Sequence, residues 1–337
     1  MTFSTSINIE RDQNKALNYI VTANAKKVIR AISSSFDDGI HSFSLIGSYG
    51  TGKSTFLLEF EHCLAANNQD ALKLLKLDGQ FNGFTKFRFL NIVGDYMSLE
   101  QLLEEHLPDT PGNALKRLNA LYSETQKQNE FLVIVVDEFG KILEHAAKGN
   151  PEEEMYFLQK LTEFANDTDK NVLLLTTLHQ SFTAYSKDLS KSQRQEWTKV
   201  KGRFQEIVFS EPVEQLLQLA AERIKCRSRV PKNAETIFCL AQKSNLLAHN
   251  VQDDIANKLY PLDVIAAYVL TLANQRYGQN ERTFFTFLES TGEDSLSAFE
   301  PKKNLMYNLS DVHDYILYHF NSYLSSANAD SAQWTAL

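Results

Sequence analysis

Cysteine is scarce: Cys63, Cys226 and Cys239 are the only three in 337 residues, odd in number and without paired ligand spacing. That excludes a disulfide framework and a cysteine zinc site, and it points to reduced thiols in a reducing, cytoplasmic setting. Long apolar runs are missing, so no segment has the length needed to span a bilayer. The opening residues Met1-Thr2-Phe3-Ser4-Thr5-Ser6 lack the basic and apolar regions of a secretory signal. Positive charge is not in excess. Against 34 Lys and Arg stand 42 Asp and Glu, a net charge of −8, which argues against bulk electrostatic attachment to nucleic acid or acidic lipid. A local basic site stays open. No internal repeat or low-complexity segment occurs. At 43% hydrophobic and 23% charged residues the composition is that of a globular protein, long enough for one large or two ordinary domains.

Glycine is sparse as well, 13 in all, yet three fall in Gly47-Ser48-Tyr49-Gly50-Thr51-Gly52-Lys53-Ser54. This is the pattern G-x-x-x-x-G-K-[ST]. The glycines let the backbone turn tightly and aim its N–H groups at an anion. Lys53 can reach β- and γ-phosphates, and the Ser54 hydroxyl can ligate Mg²⁺. Context supports the motif. Ser42–Ile46 is a short strand-like run, and from Thr55 onward the apolar residues recur at helical spacing, so a helix N-terminus faces the loop.

About 85 residues on, Phe131-Leu132-Val133-Ile134-Val135-Val136 is an unbroken apolar run that suits a central parallel strand. It ends in Asp137-Glu138. In an open α/β sheet, acids at such a strand end sit beside the phosphate loop. Asp137 would hold Mg²⁺, and Glu138 would act as general base toward water. A third strand, Asn171–Thr177, ends in Thr176 and Thr177, either of which could contact a γ-phosphate or orient water.

Between these lie further expected elements. Residues 8–36 read as a helix, and Ala71–Asp78 and Phe87–Val93 as strands. Leu99–Leu107, Ala114–Lys127 and Glu152–Ala165 read as helices, with Pro151 opening the last. His179-Gln180-Ser181-Phe182 reads as a polar turn and Tyr185–Lys201 as a basic helix or loop. Phe204–Phe209 reads as the fifth strand, stopped by Pro212. Beyond it only helices are expected: Glu214–Lys225, Ala234–Leu246, Leu262–Asn274, Thr283–Glu289 and Val312–Leu324. The fold class is therefore α/β, with a five-stranded parallel sheet flanked by helices and a helical domain after it. The boundary is placed at Glu211-Pro212, giving domains 1–211 and 212–337. Gln333–Leu337 reads as a helix starting, so a longer protein is expected.

Two arginines could complete a nucleotide site. Arg203, in Gly202-Arg203-Phe204 before the fifth strand, is placed to reach a neighbouring subunit's phosphates; Arg194, Lys199 and Lys201 compete locally. Arg282, in Gly278–Thr283, could fold over phosphates from the helical domain. The stretch Lys187, Lys191, Arg194, Lys199, Lys201 and Arg203, with Tyr185 and Trp197 nearby, could follow a nucleic-acid backbone or line a subunit interface.

Taken together, the GSYGTGKS loop, Val135-Val136-Asp137-Glu138, Leu175-Thr176-Thr177, Gly202-Arg203-Phe204 and Gln279–Arg282 resemble AAA+ ATPases on their origin-recognition and STAND-like side. Asp137–Lys141, Leu178–Phe182 and Gly278–Arg282 resemble P-loop proteins of bacterial genome-defence loci. The resemblance implies ATP and Mg²⁺ bound at the interface of a homo-oligomer by Gly47 to Thr55. Lys53, Ser54, Asp137 and Glu138 would carry the loop and hydrolysis roles. Thr176 or Thr177 would be sensor 1, Arg203 the finger and Arg282 sensor 2, with a helical lid behind them. Sensor 1 is often Asn in the family; His179 or Gln180, slightly beyond, could substitute. Four functions follow: a motor or remodeller on nucleic acid or protein, a nucleotide-gated switch that recruits an effector, a non-hydrolysing partner, or a small-molecule kinase. The Asp137-Glu138 pair argues against the third, and the helical C-terminal half against the fourth.

Overall fold

The computed structural model describes residues 7–15, 17, 19, 21–48, 50–65, 81–224, 230–248, 251, 254–277, 284–290, 292, 295–300 and 306–324. The chain divides into two compact units. One comprises Ile7–Gly47 and Gly52–Ser210; the other comprises Glu211–Leu337 with Met1–Ser6 and Ser48–Thr51.

The first unit is built on five parallel strands: β1 (Ser42–Ile46), β2 (Phe87–Val93), β3 (Phe131–Asp137), β4 (Val172–Leu178) and β5 (Gln205–Val208). Their spatial order is β2-β3-β4-β1-β5. Parallel neighbours cannot be joined by a tight turn, so helices cross over between them and cover both faces. Alternation along β3 makes this concrete. Phe131, Val133 and Val135 enter one hydrophobic cluster with α1 (Ala23–Asp37) and α2 (Lys53–Ala65). Leu132, Ile134 and Val136 enter the opposite cluster with α3 (Leu99–His106), α4 (Ala114–Lys127), α5 (Phe139–Lys148), α6 (Pro151–Ala165) and α7 (Lys191–Lys201). All seven residues of β3 are buried. Each side chain of this size is worth roughly 1.5–3 kcal/mol on burial, which fixes the register.

The second unit is helical among the described residues: α8 (Val213–Arg223), α9 (Asn233–Lys243), α10 (Ile255–Leu259), α11 (Val264–Tyr277), α12 (Phe284–Glu289) and α13 (Leu309–Leu324). Asp263 opens α11, its Oδ1 accepting from the Ile265 and Ala266 N–H groups at 2.9 and 3.1 Å. Phe287 packs on Tyr307 and Tyr315 at the centre, with ring centroids 5.1 Å apart in both pairs.

Three expectations need correction. The helix expected over 8–36 begins only at Ala23. Thr22 caps it, taking the Ala25 N–H at 3.0 Å. Upstream, over residues 8–15, short polar side chains take up backbone N–H groups and hold the chain in turns. Asn8 Oδ1 accepts from the N–H groups of Glu10 and Arg11, while buried Asp12 draws in Arg11, Lys15 and the Asn8 N–H. Second, α5 was not expected, although Phe139, Ile142, Leu143 and Ala146 recur at i, i+3, i+4 and i+7 and are all buried. Third, α10 also appears without forewarning. The expected strand Ala71–Asp78 lies outside the described residues.

Candidate functional site

Strand ends bring the sequence motifs together. β4 lies between β1 and β3, with Leu45 opposite Thr177 and Val136 opposite Thr176. Asp137, closing β3, and Thr177, near the end of β4, therefore share the carboxyl edge from which the phosphate loop leaves β1. The loop is pinned there by the Gly47 N–H, which donates to the Leu178 carbonyl at 3.0 Å. Gly50 and Gly52 adopt φ of +72° and +87°. A Cβ on Gly52 would meet nothing within 4 Å, so the backbone conformation, not space, demands glycine there. The first helical turn starts at once: Phe56 N–H bonds to the Gly52 carbonyl at 2.9 Å.

Lys53 is 6% exposed, and its Nζ donates to the Gly47 carbonyl at 2.5 Å. Burial pushes its pKa down to about 8, against the opposing pull of Asp137 and Glu138. A buried ammonium at the rim of a glycine loop is the kind of group that a polyanion would need there, with the loop N–H groups beside it. Asp137 is 4% exposed. Its Oδ1 accepts from the Thr177 hydroxyl at 2.5 Å and from the Glu138 N–H at 3.0 Å. That N–H also reaches Thr177 Oγ1 at 3.0 Å. No hydrogen bond falls on the second Asp137 oxygen among the described residues. With the half-buried Ser54 hydroxyl it supplies hard oxygen donors, the set that suits Mg²⁺. Among the described residues no group of three or more His, Cys, Asp or Glu forms a metal cluster, so a cation here would depend on substrate oxygens and water as well.

Glu138 adopts a left-handed φ of +54°, rare for a residue with a side chain. Its Oε2 accepts from His179 Nε2 at 3.2 Å and lies 3.9 Å from Lys141 Nζ. Burial alone would raise the Glu138 pKa. The hydrogen bond from His179 and the charges of His179, Lys141 and Lys53 outweigh it and hold the carboxyl below its ordinary value.

The two threonines separate. Thr177 touches the acid pair; Thr176 Oγ1 turns instead to Ser44 Oγ at 2.7 Å and the Phe43 carbonyl at 3.2 Å, inside the sheet. Arg203 sits at the opposite, amino edge. The sequence distance along β1, five residues or about 15 Å, separates that edge from the phosphate loop of the same chain. Its guanidinium pairs with Glu163 at 3.1 Å, and its carbonyl accepts from Asn166. Tyr49 and Arg282 lie outside the described residues.

The basic stretch does not form an open aromatic track. Trp197 is fully buried, its Nε1 donating to the Phe182 carbonyl at 2.9 Å, and Tyr185 is buried too. Phe182, read as part of a polar turn, is core. Lys199 pairs with Glu196 and Lys201 with Glu206. Neither ring can stack on a base as placed.

Sequence reasoning missed Gly94, which follows β2. Its N–H donates to the Asp137 carbonyl at 2.7 Å, and a Cβ there would lie 2.5 Å from the Glu138 carbonyl oxygen. The signal was a lone glycine ending a strand, which marks close backbone approach. Gly94→Ala forces the acid-bearing backbone to move and is expected to cost about 1–3 kcal/mol. A lowered urea midpoint at unchanged slope checks this; an unshifted midpoint refutes the close-approach argument.

No protein-family model and no curated protein sequence matches the chain. Solved structures do resemble it. The ADP form of the Aeropyrum pernix ORC2 protein is 15% identical, covering 94% of this chain and 90% of that one, with a TM-score of 0.43. Cdc6p from Pyrobaculum aerophilum is 15% identical, covering 81% and 68%, with a TM-score of 0.37. PCH-2 of C. elegans is 12% identical, covering 90% and 67%, with a TM-score of 0.39. Likeness at this level is too slight to carry function, which must come from the side chains.

Proposed function

We propose that this chain is an AAA+-type P-loop ATPase. It binds ATP with Mg²⁺ on the loop Gly47–Thr55 and couples nucleotide state to assembly of a homo-oligomer. The observation that carries the reading is the meeting, at one sheet edge, of buried Lys53, the Thr177-bonded Asp137 and the His179-bonded Glu138. Lys53 would neutralise phosphate charge, and a glycine-rich backbone would cradle it. Ser54 and Asp137 would hold the cation, which supplies charge neutralisation across the phosphates. Thr177 orients Asp137, and Glu138 would take a proton from the attacking water.

Arg203 cannot reach its own chain's phosphate loop from the amino edge, so its role in this reading is in a neighbour's site. The test is ATP turnover across a protein concentration series, wild type beside Arg203→Ala. Turnover rising faster than linearly, and abolished by Arg203→Ala with nucleotide still bound, supports a shared site. Flat specific activity with a neutral substitution overturns it in favour of a monomeric nucleotide switch. The wider setting, a bacterial genome-defence assembly with an effector protein, belongs to the same proposal and rests on Asp137–Lys141 and Leu178–Phe182. The buried aromatics and the ion pairs at Lys199 and Lys201 favour a protein interface over nucleic acid along the basic stretch.

A further inference from the structure

We infer that His179 is the positioning residue of the hydrolytic base: it grips Glu138 by one oxygen and leaves the other for water. The inference rests on the ATPase reading and adds to it a residue role. Three observations carry it. First, Glu138 spends a left-handed backbone conformation at the junction of β3 and α5, yet its side chain makes no cap for that helix. A strained residue whose side chain does nothing for the helix it opens is shaped for some other contact.

Second, that contact is specific. His179, immediately after β4, donates Nε2 to Oε2 at 3.2 Å, while no hydrogen bond falls on Oε1 among the described residues. A carboxylate accepting through one oxygen is locked in rotation and still offers a lone pair on the other. Third, the pair is sheltered, with side-chain exposures of 15% for His179 and 26% for Glu138. Shelter strengthens a charge-assisted bond and limits competition by solvent. Lys141 is a weaker anchor, 3.9 Å away and 46% exposed.

The geometry divides the end of β4 between two tasks. Thr177 fixes the metal-side acid, and His179 fixes the base two residues later. The base and its orienting group thus form the pairing that activated-water sites share.

The experiment compares wild type, Glu138→Gln, His179→Ala and His179→Gln in steady-state ATP turnover. Nucleotide affinity and thermal midpoint are read in parallel. His179→Ala is expected to lower kcat by about 10–100-fold, the range for a misplaced catalytic group, with KM, affinity and thermal midpoint unchanged. His179→Gln, whose amide can donate from nearly the same place, should recover most of the rate. A His179→Ala rate at or above wild type overturns the inference, as does a loss shared with affinity or thermal midpoint, or failure of His179→Gln to recover. Wild type and Glu138→Gln hydrolysing alike removes Glu138 as the base and overturns this inference while the ATPase reading stands; no ATP turnover by wild type overturns the ATPase reading itself, and this inference with it.

Discussion

Glu138→Gln is expected to lower ATP turnover by about 10²–10⁴-fold, the usual contribution of a general base, while nucleotide affinity is kept. The substitution isolates the proton acceptor because little else changes. The Gln carbonyl can still accept from His179, as Oε2 does at 3.2 Å. The bond from the residue 138 N–H to Asp137 and Thr177 belongs to the backbone and survives. Asp137 keeps its contact with Thr177, so the proposed cation site would be left intact. What disappears is the ability to take a proton from water, together with one of the two negative charges that pull the Lys53 pKa upward. Phosphate release measured beside binding of a non-hydrolysable analogue separates the two properties. Turnover at the wild-type rate would mean that water is activated by another group, and the roles assigned at this strand end would fall together.

Glu61→Gln is expected to stabilise the protein at alkaline pH and leave it nearly unchanged at acid pH. Glu61, on α2, is 4% exposed and faces Asn91 of β2, whose Nδ2 donates to Oε2 at 2.8 Å. Glu61 Oε1 and Asn91 Oδ1 are both buried with no hydrogen-bond partner. Burial drives the Glu61 pKa from 4.5 to about 7, and the Asn91 bond only partly opposes it. The sign follows directly. Below pH 4.5 both folded and unfolded forms carry the proton, and ionisation costs nothing. Between 4.5 and 7 the unfolded chain ionises while the folded one does not, so stability falls as pH rises. Above 7 the loss levels off, at about 3 kcal/mol for a shift from 4.5 to about 7. A glutamine amide carries no charge and can donate to Asn91 Oδ1, satisfying the orphaned acceptor. Urea midpoints from pH 5 to 8 should therefore diverge between the two proteins as pH rises; parallel curves would show that Glu61 ionises in the folded state as easily as in the unfolded one.

Much of this architecture was legible because it is written in local signals. The loop, the run Phe131–Asp137 and the helix Ala114–Lys127 announce themselves by spacing and by apolar continuity, and the structure places them accordingly. What was illegible depends on neighbours. The stretch 8–22 has helical spacing, but Asn8 and Asp12 capture backbone and basic partners, and no periodicity reveals such competition. Thr176 and Thr177 are indistinguishable as letters. The pleat sends one to Ser44 and the other to Asp137, and only the register of β4 decides which. That Trp197 is core could not be read from its basic neighbours, because burial is not encoded by adjacent charges. Gly94 and His179 matter through contacts 43 or 41 residues away in sequence, beyond any motif.

The parallel sheet also sets an order of events during synthesis. Ser44 and Thr176, partners across β1 and β4, are 132 residues apart. The phosphate loop therefore leaves the ribosome long before the strand that pins it and carries Thr177. Until β4 inserts between β1 and β3, the glycine turn has no anchor at Leu178 and the acids at the end of β3 lack their hydroxyl partner. The edge that carries the glycine loop and the acids is complete only after this long-range closure, and the half-made chain must be kept from association through its bare strand edges in the meantime.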